Sequence, residues 1–134
     1  MPAGYSATPL AKKLGFAEGA PLWAKAMPDS VRAEIEQTVC PRYVARPSEG
    51  LAAAHLFHTS AAALAADLER LRPLLEAGGM VWVSWPKKAA KMQTDITEDV
   101  IRAVALPMGF VDVKVCAVDA VWSGLKLVIR KECR

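Results

Sequence analysis

The chain has 134 residues, of which 53% are apolar and 23% charged. That balance excludes a disordered chain and suits one core of domain size. The net charge of +3 is mild, with six Lys/Arg against six Asp/Glu in residues 1–67 and eleven against eight in 68–134. This falls short of the dense basic stripe of a dedicated nucleic-acid binder, so nucleic acid is not an expected partner. Cys40, Cys116 and Cys133 are odd in number and widely spaced. They match no disulfide framework or zinc motif, and they read as reduced thiols of a cytoplasmic protein. Residues 1–15 lack the apolar core of a secretion signal, and the longest uncharged stretch, 50–66, is shorter than a typical membrane span. No membrane partner and no metal are expected.

In chain order, Thr8 caps a short helix with Pro9 at its first position, Lys12 and Lys13 at its negative end and Gly15 as its left-handed stop. A strand over 21–26 ends at Met27-Pro28-Asp29-Ser30, where Asp29 or Ser30 caps a helix over 31–38. A second strand spans 42–46, and a third, small and apolar throughout, spans 53–59. Ser60 caps a helix over 61–76, whose Leu64, Leu68, Leu71 and Leu75 share one face, with Pro73 predicting a kink or early end. Gly78-Gly79 closes that helix before an apolar strand over 80–85 and a basic loop through Lys91. Asp95-Ile96-Thr97-Glu98 reads as a capping pattern, opening a helix that runs to Leu106. Alternating strands over 111–119 and 125–131 form a hairpin turned by Ser123-Gly124. One domain is expected over 1–134, a capped helical segment over 1–19 and an α/β core over 20–134, with no repeat or linker.

Strands alternating with helices imply a three-layer, mostly parallel Rossmann-like sheet, and the terminal hairpin adds an antiparallel edge. This order resembles the class I methyltransferase fold, as does the passage Leu68-Glu69-Arg70-Leu71-Arg72-Pro73-Leu74-Leu75-Glu76-Ala77-Gly78-Gly79-Met80-Val81-Trp82-Val83. That fold implies the strand order 2-1-3-4-6-5, trimmed by one helix and one strand. A closer resemblance is to the bacterial domain-of-unknown-function family numbered 3052. It is carried by residues 4–15, by Trp82-Val83-Ser84-Trp85-Pro86-Lys87-Lys88, by Thr94-Asp95-Ile96-Thr97-Glu98-Asp99-Val100, and by 111–119 with Trp122-Ser123-Gly124-Leu125-Lys126-Leu127-Val128. This second resemblance implies no particular reaction.

A methyl donor in such a sheet needs a glycine-rich turn after the first strand and an acid ending the second, to hold the ribose hydroxyls. Here the turn reads Ala26-Met27-Pro28-Asp29-Ser30, and the second strand ends Ala45-Arg46-Pro47-Ser48. Both determinants are missing, so no cofactor is expected. Only residues 47–52 separate strands two and three, too few for a crossover helix.

Open parallel sheets bind ligands at the carboxyl ends of their strands, where the winding reverses. In the expected order that crevice lies between strands one and three. It would gather Met27, Asp29, His58, Ser60, Ser84, Trp85, Lys87, Lys88 and Lys91. Trp85 can stack on a ring, and the lysines can meet phosphate or carboxylate. His55 and His58 are three apart on a strand and face opposite ways, so they form no metal site together. No catalytic group is assigned. The expected function is a non-catalytic, methyltransferase-like domain that binds a partner protein or a small anionic ligand. One alternative is an enzyme with an altered S-adenosylmethionine or nucleotide site, and another is a weak nucleic-acid binder.

Overall fold

The computed structural model describes residues 8–134. The expected first-helix cap Thr8 lies at its edge, and part of the 4–15 segment lies outside it. Six strands form one sheet in the order β2-β1-β3-β4-β6-β5: β1 Pro21–Lys25, β2 Arg42–Tyr43, β3 Leu51–Phe57, β4 Leu75–Pro86, β5 Phe110–Ala117 and β6 Trp122–Ile129. The β2, β1, β3 and β4 neighbours pair in parallel, and β6 pairs antiparallel with both β4 and β5. The fold class and strand order are those the sequence implied.

Two apolar layers sandwich the sheet. One face packs α1 Leu10–Leu14 and α2 Asp29–Glu36 over Leu22, Ala53, Phe57 and Trp82. The other packs α3 Ala61–Leu71 and α4 Glu98–Ala105 over Leu56, Val81, Val83, Leu125 and Leu127. Trp82 is wholly buried, and its indole Nε1 donates to the Leu14 carbonyl at 2.7 Å, fixing the end of α1 to the sheet.

Several boundaries depart from the sequence reading. Pro9 rather than Thr8 is the N-cap of α1, and Pro28 rather than Asp29 or Ser30 precedes α2. α3 stops at Leu71 because Pro73 breaks the backbone ladder, so Leu75 lies in β4 and Gly78-Gly79 lie inside that strand. A Cβ at Gly79 would sit 3.1 Å from the Leu51 carbonyl oxygen, which explains a glycine where β4 bulges against β3. Thr97 caps α4 by accepting from Val100 N, whereas Asp95 accepts from Ala61 N at 2.8 Å and caps the start of α3. The hairpin turns at Asp119, whose Oδ1 accepts from Val121 N and Trp122 N, both at 2.8 Å. Ser123-Gly124 is strand instead.

The expected second strand, 42–46, shrinks to two residues, pairing Arg42 with Pro21 and Tyr43 with Leu22. Residues 44–50 then cross to β3 without a helix, and Val44 packs against the α3 layer.

Gly124 sits where a Cβ would come within 3.1 Å of the Trp82 ring and 3.2 Å of Val118. Gly124→Val should therefore lower the unfolding free energy by about 2 kcal/mol, as overpacking does, measured by urea denaturation.

Candidate functional site

The carboxyl ends of β1, β3 and β4 lie side by side, and the winding reverses between β1 and β3. His58 directly follows β3, with its N–H extending the ladder to the Ser84 carbonyl at 3.1 Å. Its imidazole Nε2 donates to Asp67 Oδ2 at 2.6 Å. Lys25, the last residue of β1, reaches the same carboxylate at 2.8 Å. Asp67 and His58 side chains are each 7% exposed and Lys25 41%. The carboxylate thus ties α3 to both strands. Sequence reading named His58 and missed Lys25 and Asp67. The available signal was an acid at position 67 within the stripe Leu64, Leu68, Leu71, where every other residue is apolar and buried.

Ser84 lies deeper and is wholly buried, hydrogen-bonded to His55 Nε2 at 2.7 Å. His55 is stacked on Phe57 at 4.3 Å and meets the edge of Phe16 at 5.9 Å. Its Nδ1 is buried without a partner among the described residues. Burial alone pushes its pKa down to about 3, so the ring is neutral in the folded chain. Nothing from solvent reaches this pair, which makes Ser84 a core group rather than a ligand contact.

Met27 and Asp29 belong to a different place. They line a groove of about 410 Å³ with Arg32, Tyr43, Val44 and Ala45, at the exposed corner of β1, β2 and α2. The Arg32 guanidinium stacks over the Tyr43 ring at 4.0 Å. The Tyr43 hydroxyl is buried without a partner among the described residues, and burial, then Glu36, pushes its pKa up.

Trp85, Lys87 and Lys88 line a third feature, a cleft of about 710 Å³ closed on its far side by Met92, Ile96, Thr97, Glu98 and Asp99. Trp85 is 8% exposed, so it forms the floor and has no open ring face to offer. Lys87 Nζ donates to the Asp119 carbonyl at 2.7 Å, which leaves it a structural tie as much as a charge. Lys88 is exposed. Glu98 and Asp99 are both held by Arg102, at 2.9 and 3.1 Å. Lys91 is exposed in a left-handed turn at φ 55° and lies off the cleft lining. Ser60 caps α3 and lines a separate groove with Thr59 and Asp95. The single crevice expected from the sequence is therefore divided, because α3 and the loop 92–97 fill its centre. That loop is pinned there by Thr94 Oγ1 donating to the Thr59 carbonyl at 2.8 Å.

The sequence matches no protein-family model and no curated protein. Solved structures do share the fold. A SAM-dependent methyltransferase from Aquifex aeolicus superposes with a TM-score of 0.60 at 12% identity, over 90% of this chain and 88% of that one. A TehB-like SAM-dependent methyltransferase from Corynebacterium glutamicum gives 0.53 at 10% identity, over 96% and 91%. A pericyclic reaction enzyme gives 0.58 at 10% identity, over 92% of this chain and 47% of that one, so the chain spans about half of that enzyme's length. The likeness is one of fold. The sheet is a methyltransferase-like Rossmann arrangement, and among the described residues no helix is long and apolar enough to cross a membrane.

That fold implies S-adenosylmethionine at the ends of β1 and β2, and the residues there do not fit it. Ala26 takes φ 57° in the turn where a glycine would let the cofactor approach, and Pro28 has no N–H to offer. After Tyr43 the chain continues Val44, Ala45, Arg46, with no carboxylate for a ribose. The stacked Arg32 and Tyr43 line the groove there, and its one carboxylate, Asp29, comes from the first turn of α2 and not from the end of β2. Among the described residues no group of three or more His, Cys, Asp or Glu is placed to hold a metal ion.

Two outcomes follow. Asp67→Ala should cost about 2 kcal/mol of stability, since it removes hydrogen bonds from two partners of a buried carboxylate, read by urea unfolding. His55 titrates near 3 when folded against 6.5 when unfolded, so between those values the unfolded chain binds the extra proton. Stability should fall as pH drops below 6.5, with His55 contributing up to about 1.4 kcal/mol per pH unit. His55→Leu should flatten that slope between pH 6.5 and 5.

Proposed function

We propose that this chain is a non-catalytic, methyltransferase-like binding domain of the family numbered 3052, working in the cytoplasm, and that it takes its partner in the cleft between the loop 85–91 and the start of α4. The observation that carries the reading is the altered corner of β1 and β2, where a left-handed alanine, a proline and the Arg32–Tyr43 stack stand in place of donor-binding groups. Support for the cleft comes from the two segments that carry the family resemblance, 82–88 and 94–100, which face each other across it. The three free cysteines suit a reducing compartment.

The cleft favours a protein segment over a bare anion. Its floor is apolar, through Trp85 and Ile96, and its walls carry both signs of charge. Lys88 faces an incoming carboxylate, while Glu98 and Asp99 would repel a polyanion. Met92 is 44% exposed at the rim, as an adaptable contact for an apolar side chain would be.

A random peptide library selected on the wild-type chain provides the test. Selected peptides should lose at least about tenfold in affinity against Met92→Glu, the loss of roughly one well-buried contact, and those with acidic residues should weaken against Lys88→Glu. Peptides indifferent to both changes would remove the cleft as the site.

A further inference from the structure

A cavity of about 300 Å³ opens at the amino ends of the parallel strands β1, β3 and β4, the opposite end of the sheet from the groups described above. Its floor is one transverse row of the α1 face: Leu22 on β1, Ala53 on β3, Met80 on β4 and Val128 on β6, each register-matched to the next. Phe16 and Pro41 form the walls. The cavity lies beside the end of α1, where Gly15 (φ 77°) turns the chain so that Gly15, Phe16 and Ala17 line it, with Met80 and Val128 half-buried in its floor.

The polar side chains of the lining are Lys126 and Glu76. Lys126 is half-buried beside Trp82 and opposite Lys114. Among the described residues its ammonium has no hydrogen-bond or ion-pair partner. Two further lysines of this sheet face lie outside the lining and are held elsewhere: Lys114 Nζ donates to the Lys13 carbonyl and Lys13 Nζ to the Ala117 carbonyl, both at 3.2 Å. Besides Lys126, Glu76 adds one exposed carboxylate to the lining.

We infer that this cavity binds a small amphiphile with an apolar body and a single carboxylate head, such as a medium-chain or aryl carboxylate. The apolar row takes the body, and its volume lies at the lower end of small-molecule sites. Lys126 takes the head, because a half-buried cation without a partner gains most from an anion that brings its own apolar body into the site. Glu76 opposes a second negative charge, which limits the ligand to a monoanion. The inference is independent of the partner cleft, and either can fail without the other.

The test titrates decanoate and decanol separately into the ¹⁵N-labelled full chain, below the aggregation concentration of either. Decanoate should bind saturably, with amide shifts at Ala52, Ala53, Gly78 and Lys126. Decanol should bind roughly tenfold more weakly, and Lys126→Glu should weaken decanoate by a similar factor. Ala53→Leu fills the floor and should abolish binding. If that core change prevents folding, Lys126→Glu on the half-exposed β6 surface still decides the matter. Equal binding of acid and alcohol, indifference to Lys126→Glu, or shifts confined to the cleft at 85–99 would overturn the proposal.

Discussion

Seven residues, 44–50, carry the chain from β2 past β1 to the start of β3. A second strand over the full 42–46 would leave four residues, 47–50, whose extended reach of about 13 Å falls short of a return of roughly 13 Å along the sheet and roughly 10 Å across it. The fold relieves this by keeping β2 to two residues. Tyr43 pairs with Leu22, which is level with Ala53, so the chain leaves β2 two positions from the level at which β3 begins. No crossover helix is needed, and Val44 anchors the passage against the α3 layer.

The same economy shapes the carboxyl end of the sheet. A strand of two residues does not reach the level of Lys25, so it has no far end on which to present a ribose-binding acid beside the β1 turn. The corner is taken by Arg32 stacked on Tyr43. Next to it, Asp67 draws Lys25 and His58 together and locks α3 over the tips of β1 and β3. Polar groups that line a crevice in an open sheet are here spent on holding elements together. Openings remain at that corner, in the cleft beside Trp85 and, at the other end of the sheet, in the apolar cavity past the end of α1.

The order of strands and helices was legible because it rests on apolar runs, on the Leu64, Leu68, Leu71 stripe and on strong breakers such as Pro73 and Gly15. Boundaries were less legible wherever a residue acts across the fold instead of locally. Asp95 sits in a sound capping pattern for α4, yet its carboxylate serves Ala61, 34 positions away. Gly124 reads as a turn residue, yet its missing side chain makes room for the Trp82 ring. The site was legible as residue types and not as a constellation. Met27, Ser60, Ser84 and Trp85 each sit near a strand end, but alternation sends Ser84 inward to His55. The loop 92–97 folds over the centre and separates the rest. Lys25 and Asp67 escaped notice because each has an ordinary role for its position, as a strand end and as a polar residue on a helix.

Calorimetry of the full chain with S-adenosylmethionine at millimolar concentration, paired with thermal unfolding at the same concentration, tests whether this methyltransferase-like sheet lacks a donor site. No saturable heat and no rise in the unfolding temperature are expected. Saturable binding near one molecule per chain, weakened by Asp29→Ala at the corner of β1 and β2, would contradict this expectation.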